Sequence, residues 1–311
     1  MGRLTRVLGA AASAVPPLSR DQLMMLMAAV NEFFLGVDIY LAHSISGTIT
    51  ANEWIPIIFG PSAALLLLLA GLMALRLRHE ARVGASLVLL ASIGVGLLGA
   101  YFHFVRAILP TAAPGERVSL DLIVWAPPLL GPLTFALVGL LGISAVWTEE
   151  TPDSGRLLLV GSVRLHLPFS KSRAFYFMVG LGSLATLISS VLDHARTQFE
   201  NPWLWIPTIV GTFATVVGVG HGLLDHPTRD DRWTYIGAMA AMVLVGVVGS
   251  YLHVRDNLTA MGTVVGERFV RGAPFLAPLL FANMGTLGLL ALLPAGGTAR
   301  EWMARRRIGD Q

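Results

Sequence analysis

The chain has 311 residues, of which 54% are hydrophobic and only 13% are charged, and its formal net charge is +3. Soluble domains carry about 25% charged residues, so this composition excludes an ordinary soluble fold. The absence of cysteine excludes disulfides, thiolate metal sites and haem attached through cysteine. The basic residues are scattered and do not indicate binding to nucleic acid. The sequence therefore predicts an integral membrane protein whose main partner is the lipid bilayer.

Eight apolar segments are long enough to cross a membrane, which takes about 20 residues for a hydrocarbon core of about 30 Å. Each must be helical, because backbone polar groups in lipid need internal partners. The predicted fold class is all-α, a polytopic membrane protein with eight transmembrane helices. The predicted spans are 22–46, 53–75, 83–109, 121–147, 174–197, 203–224, 233–255 and 273–294.

Polar segments between the spans predict five regions. They are a leader at 1–21, a four-span unit at 22–147, a linker at 148–173, a second four-span unit at 174–295 and a basic tail at 296–311. With a cytoplasmic amino terminus, 16 of the 22 Lys and Arg residues fall in inner segments. Because basic residues concentrate in cytoplasmic loops, we expect both termini in the cytoplasm and the chain in the inner (cytoplasmic) membrane.

The two four-span units share four sequence blocks in the same order. Each unit has an even number of spans, so the two units have the same orientation and form a parallel repeat. The first block, 43–60 with 194–211, matches His43 with His194 and Trp-Ile-Pro at 54–56 with 205–207. The other three match Gly-x-Tyr-x-His at 99–103 with 249–253, Gly-Glu-Arg at 115–117 with 266–268, and Pro132, Phe135 and Gly139 with Pro278, Phe281 and Gly285.

Two histidines in each unit fall at the same predicted depth. His43 and His194 end the first span of their units, and His103 and His253 lie near the end of the third. Each comes about 20 residues into its span, which at 1.5 Å per residue is near the outer edge of the hydrocarbon. We expect the two rings of each unit to face each other across neighbouring helices.

Two facing imidazoles suit a bis-histidine, b-type haem, with one site in each unit. Glycines one or two turns before the histidines are expected to leave a flat surface for the porphyrin, and arginines just beyond them to pair with its propionates. The glycines are Gly36, Gly96, Gly99, Gly246 and Gly249, and the arginines are Arg106, Arg196 and Arg255.

Other interpretations stay open. Glu116 and Glu267 follow the third span of each unit, and two histidines with one carboxylate suit copper, iron or zinc. The chain would then be a membrane metalloprotein or oxidase. A parallel repeat with buried acids also occurs in transporters. In the simplest alternative, the glycines only let helices pack closely and the histidines only bond neighbouring helices.

The acids Glu32 and Asp38 of the first span belong to one unit only, since the second unit has Ser183 and Ser189 in their places. Glu32 lies 11 residues before His43, about three turns away on the same helix face. We expect these acids to form a proton path or to contact a quinone head group. The predicted function is a membrane redox protein that moves electrons between quinone and an electron-transfer protein on the outer side. Whether the protein is catalytic stays open.

Overall fold

The computed structural model describes residues 18–45, 47–74, 78–108, 112–125, 127–159, 163–261 and 264–295. The predicted tail and all but the end of the predicted leader lie outside these residues. The described chain is mostly helical. Its helices are α1 (Arg20–Ser44), α2 (Trp54–Met73), α3 (Arg78–Ala107), α4 (Leu120–Trp125), α5 (Leu130–Val146), α6 (Lys171–Ala195), α7 (Trp205–Leu223), α8 (Arg229–Thr259), α9 (Val265–Arg271) and α10 (Leu279–Ala291), and its strands are β1 (Thr148–Glu149), β2 (Arg156–Leu158) and β3 (Arg164–His166).

Six of the described helices are long and apolar enough to cross a membrane, namely α1, α2, α3, α6, α7 and α8. Helices α5 and α10 are also apolar but have only 17 and 13 residues. Large apolar side chains such as Leu66 and Leu72 are exposed on the long helices. A surface of this kind is stable in lipid and unstable in water, so the protein is a multi-pass membrane protein.

Prolines shorten two of the eight predicted spans. The span predicted at 121–147 is interrupted between Trp125 and Leu130, around Pro127 and Pro128. The span predicted at 273–294 is helical only from Leu279 to Ala291, after two further prolines. Proline has no N–H to donate, and it pushes the preceding residue out of the helical region. The main helix of each of these spans therefore begins only after the prolines and is shorter than predicted.

The predicted linker contains a small antiparallel sheet in the order β1-β2-β3, which an all-α prediction did not include. The Glu149 carboxylate organises it, accepting hydrogen bonds from the backbone N–H groups of Asp153 and Gly155, both at 2.9 Å, and of Lys171 at 3.0 Å. Gly155 has φ +69° and lies against the Phe169 carbonyl, where a side chain would collide. The sheet is thereby tied to the start of α6.

The apolar helices pack as two rings of four. In the first bundle, α1 and α3 each pack against both α2 and α5, and in the second bundle α6 and α8 each pack against both α7 and α10. The bundles meet where α5 contacts α6 and where α10 contacts α1. We call the end where α1, α3, α6 and α8 finish the histidine end, and the end where α1 and α6 begin the cation end.

Close approach of two helices within each bundle depends on glycine. A Cβ added at Gly96 of α3 would lie 2.5 Å from the backbone nitrogen of Ala136 on α5. A Cβ added at Gly246 of α8 would overlap the backbone nitrogen of Ala282 on α10. Small residues commonly let helices pack closely in membranes, where there is no hydrophobic force to drive association.

Two buried cations join the bundles at the cation end. Lys171 of α6 donates to the Asp21 carboxylate at 2.7 Å and to the Trp147 carbonyl, just beyond α5, at 2.8 Å. Arg20 of α1 donates to the Leu293 carbonyl, just beyond α10, at 3.4 Å. Carbonyls at a helix carboxyl end lack helical partners and carry partial negative charge. Each cation therefore caps the last helix of the opposite bundle.

We expect Gly96→Ala and Gly246→Ala each to lower the free energy of unfolding by about 1–3 kcal/mol, because the new methyl group overpacks the interface. Gly94→Ala and Gly237→Ala are matched controls on the same two helices, since a Cβ there meets nothing within 4 Å. Thermal unfolding in detergent, followed by circular dichroism, measures the difference. Equal stability of all four variants would contradict this account of the packing.

Lys171→Met should lower the free energy of unfolding by about 3 kcal/mol, because it removes a buried partner from Asp21 and uncaps α5. Arg164→Met is the control. It breaks an ion pair of 2.6 Å to Glu150 in which the arginine side chain is 72% exposed, and such pairs contribute at most about 1 kcal/mol. Chemical denaturation in detergent measures the loss of unfolding free energy in both variants. A loss for Lys171→Met no larger than that for Arg164→Met would contradict the stabilising role of the Lys171 contacts.

Candidate functional site

The histidine end of the first bundle brings His43 and His103 together. Their ring centroids are 6.2 Å apart, and the ring planes are inclined by 59°. The two residues belong to the last turns of α1 and α3, which are opposite members of the ring of four helices. The two imidazoles therefore meet across the end of the bundle, within one unit.

Backbone carbonyls hold both rings. The Nδ1 atom of His103 lies 2.9 Å from the Pro128 carbonyl oxygen, and the Nδ1 atom of His43 lies 2.8 Å from that of Ile39. A carbonyl can only accept, so each Nδ1 carries the proton. In the neutral ring the lone pair is then on Nε2. Histidines that bind metals usually have this arrangement, because the bond at the other nitrogen fixes the tautomer and the orientation.

The second bundle repeats part of this geometry. The Nδ1 atom of His253 lies 3.0 Å from the Pro274 carbonyl oxygen. This contact matches that of His103 with the Pro128 carbonyl oxygen in the first bundle. His194 differs from His43, since its Nδ1 atom lies 3.4 Å from the Ser190 hydroxyl and the Phe199 ring packs 6.0 Å from its own. The two bundles therefore hold the third-helix histidine in the same way and the first-helix histidine differently.

A carboxylate that was not among the sequence candidates lies at the first pair. Glu53, just before α2, accepts the Thr50 N–H at 2.7 Å and lies 3.5 Å from the Arg106 guanidinium. Burial opposes ionisation, but the bonds from Thr50 and electrostatic attraction to His43 and Arg106 hold the pKa of Glu53 below its ordinary value. The sequence feature that could have identified Glu53 is its position directly before Trp-Ile-Pro at 54–56, at a helix start, where acids are stabilised.

The glutamates proposed as additional metal ligands lie elsewhere. Glu116 is exposed in the turn that precedes α4, and Glu267 is exposed on α9. Among the residues described, no group of three or more His, Asp or Glu side chains is arranged to hold a metal ion. A centre of two histidines with Glu116 or Glu267 is therefore not assembled in the described chain.

The glycines expected to line a porphyrin face neighbouring helices. Gly96 and Gly99 pack on α5, Gly246 and Gly249 pack on α10, and a Cβ at Gly36 would lie 2.5 Å from the Cδ of Pro61 on α2. Helices approach closely at these positions, so atoms of the neighbouring helix cover the surface that was expected to be open. These contacts agree with the simplest alternative for these glycines, in which they let neighbouring helices pack closely.

Side chains fill the interior of the first bundle beneath the histidines. The Phe59 and Phe135 rings pack 5.9 Å apart, and Ile39 and Val95 pack against the same buried cluster. These residues lie about one to two turns inward of His43 and His103. A porphyrin held between the two rings would have to displace this core, so the residues described do not fit a haem.

The arginines expected to meet haem propionates have other surroundings. Arg106 pairs with Glu53. Arg196 donates to the Val124 carbonyl at 2.9 Å and lies 3.8 Å from the Asp193 carboxylate. Arg255 is exposed on the last turns of α8. Two of the three guanidiniums thus already bind protein oxygens at the histidine end.

Glu32 is fully buried inside the first bundle and contacts α3. The Ser92 hydroxyl lies 2.5 Å from the Glu32 Oε1 atom and 2.8 Å from the Phe135 carbonyl oxygen. A hydroxyl has one proton and a carbonyl has none, so both contacts are hydrogen bonds only if Glu32 is protonated. Asp38 faces away from this network, into a cleft between α1 and α10. The predicted path from Glu32 to His43 stays a prediction.

Comparisons of the chain with protein-family models, with curated proteins and with solved structures give no match. The chemistry of the described residues is therefore the only basis for a functional assignment. The feature with the clearest chemical meaning is the histidine pair, because two oriented imidazoles with their lone pairs on Nε2 are a recurrent ligand arrangement.

We expect Glu53→Gln to destabilise the protein at neutral pH, and the difference from wild type to shrink in acid. The pKa of Glu53 is lower in the folded chain than the ordinary value of 4.5. Its carboxylate therefore contributes fully to the free energy of unfolding above pH 4.5. This contribution is lost as the pH falls through the lower pKa that Glu53 has in the folded chain. Thermal unfolding from about pH 7 to about pH 3 measures this. Glu116→Gln, at an exposed glutamate, is the control, and a pH-independent difference for Glu53→Gln would contradict the assignment.

Proposed function

We propose that this chain is a membrane redox protein that binds a transition-metal ion between His43 and His103. The observation that carries the proposal is the facing pair itself, in which each Nδ1 atom is bonded to a backbone carbonyl. Each ring is thereby oriented and each Nε2 atom has the lone pair that a metal needs. With imidazole–metal bonds of about 2 Å, the two nitrogens would be about 4 Å apart, which a centroid separation of 6.2 Å allows.

Copper is the first candidate ion. Imidazole suits copper, iron and zinc, and copper(II) has the highest affinity in the order of divalent metals. Zinc has no redox chemistry, so a redox role favours copper or iron. When bound, a copper ion supplies one-electron chemistry. The chain's contribution is to orient the two imidazoles and to place the negative charge of Glu53 beside them, offsetting the charge of the ion.

We further propose that all eight apolar helices cross the membrane as a parallel repeat, with both termini in the cytoplasm. Matching contacts in the two bundles support the repeat. Gly96 packs on Ala136 as Gly246 packs on Ala282, and His103 is bonded to the Pro128 carbonyl as His253 is to that of Pro274. The distribution of Lys and Arg supports the orientation, which puts the histidine end on the outer side of the inner membrane.

Metal content of the purified chain tests the site. After loading with copper and removal of the excess, elemental analysis should find bound copper in wild type and its loss in His43→Ala and in His103→Ala. His79→Ala and His226→Ala are matched controls, since both histidines are exposed at the cation end, and they should retain the ion. A Cu(II) electron paramagnetic resonance signal that disappears on reduction would support the redox role.

Two results would contradict the proposal. One is full copper retention in both His43→Ala and His103→Ala, with the variants folded as judged by thermal unfolding. The other is a visible absorption spectrum dominated by a haem Soret band in protein from haem-replete cells, which would require the core around Phe59 and Phe135 to repack. The His253→Ala variant tests the second bundle separately. If it binds less copper than wild type while the first site is intact, the second bundle also holds an ion.

A further inference from the structure

A cleft of about 270 Å³ runs between α1 and α10, where the two bundles meet. Along α1 it extends from Met27 to Asp38, a distance of about 16 Å along the helix axis. At its mouth, Val30 and Phe34 are 39% and 49% exposed. Because α1 is a membrane-spanning helix by length and composition, this mouth opens sideways towards lipid. A molecule that enters here must be soluble in the bilayer.

Two amide side chains that line the cleft each have one atom without a partner. The Nδ2 atom of Asn31 and the Oδ1 atom of Asn283 are both buried without a hydrogen bond among the described residues. A buried polar group left unsatisfied costs about 1–3 kcal/mol, and the hydrocarbon core supplies no water to relieve it. One donor and one acceptor are thus left within the same cleft, on opposite walls.

The corresponding junction on the other side of the protein is different. Between α5 and α6 the counterparts of the two asparagines in the repeat are Leu137 and Gly182, and a Cβ added at Gly182 would lie 2.8 Å from the Leu137 side chain. The unpartnered amides therefore occur at the open junction and not at the closed one. This correlation indicates that they serve a ligand in the cleft and not the contact between the bundles.

We propose that the cleft binds the head group of a lipid-soluble quinone. A quinone carbonyl accepts from the Asn31 amide, and the hydroxyl of the corresponding quinol donates to the Asn283 oxygen. Phe34, Leu276 and Leu280 line the cleft and provide an apolar wall for the ring and the isoprenoid tail. The acyl chain of a phospholipid would leave both amides without a partner, which makes it the poorer occupant.

The cleft ends near the histidine pair. Asp38 lines it and precedes His43 by five residues on α1, about 8 Å along the helix axis. A quinone head group held by Asn31, which precedes His43 by 12 residues, would lie about 18 Å along the helix axis from the metal ion proposed above. Its role as electron donor or acceptor rests on that proposed function, whereas its binding in the cleft does not.

Photolabelling tests the binding. The purified full chain in detergent is irradiated with an azido-quinone that carries a short alkyl tail, and labelled peptides are mapped by mass spectrometry. Label should fall on α1 and α10 and be displaced by the parent quinone. Asn31→Leu and Asn283→Leu should each weaken quinone binding about tenfold or more, the equivalent of one lost hydrogen bond to a buried group. Thr212→Val is the control, an equal loss of polarity on α7 away from the cleft.

The outcomes separate this inference from the proposed function. Quinone binding that persists in His103→Ala, with its copper lost, supports the cleft independently of the metal site. If wild type binds no copper but is labelled on α1 and α10, the metal proposal fails and the cleft stands. Label spread over all helices, phospholipid retained in the cleft and not displaced by quinone, or a dimer cross-linked through α1 and α10 would each overturn the quinone assignment. If a leucine variant does not fold, the quinone-binding measurement is made on Asn31→Ala or Asn283→Ala in its place, with the same expected loss.

Discussion

The reciprocal capping by two buried cations is the contact on which the arrangement of the molecule depends. Lys171 begins α6 and binds carbonyls at the end of α5, while Arg20 begins α1 and binds a carbonyl at the end of α10. Both residues are 1% exposed, so neither charged group can reach water unless the bundles separate. These contacts set how α1 stands against α10 at one end, and the cleft between these helices begins at Met27, about two turns further along α1.

Within each bundle, the same prolines shape both the packing and the site. They interrupt the fourth predicted span of each unit, because a proline cannot continue the helical hydrogen bonds. The carbonyls of Pro128 and Pro274 lie in these breaks, where they accept from His103 and His253. The short helices that follow then pack on glycines of α3 and α8. Orientation of the histidines and close helix packing are therefore two results of one local construction.

The two bundles share this framework but differ in polarity. Glu32, Asn31, Asp38 and Glu53 all belong to the first unit, and Ser183, Gly182, Ser189 and Leu204 stand in their places in the second. In a membrane such groups are costly and usually functional. The facing histidines, the buried carboxyl of Glu32 and the open cleft all involve α1. The first bundle therefore concentrates the chemistry, whereas the second bundle mainly supplies the surface against which α1 is placed.

The amino-acid sequence by itself determined the membrane class, six long spans to within a few residues and the end of each unit at which its two histidines lie. These properties depend on local hydropathy and on a rise of 1.5 Å per residue, which need no knowledge of neighbouring helices. Only the tertiary structure decided what each face meets. Gly96 meets Ala136 and not a porphyrin, Glu53 and not Glu116 accompanies His43, and Asn31 opens into a cleft. Such contacts join residues distant in the chain, so the pattern along one helix does not contain them.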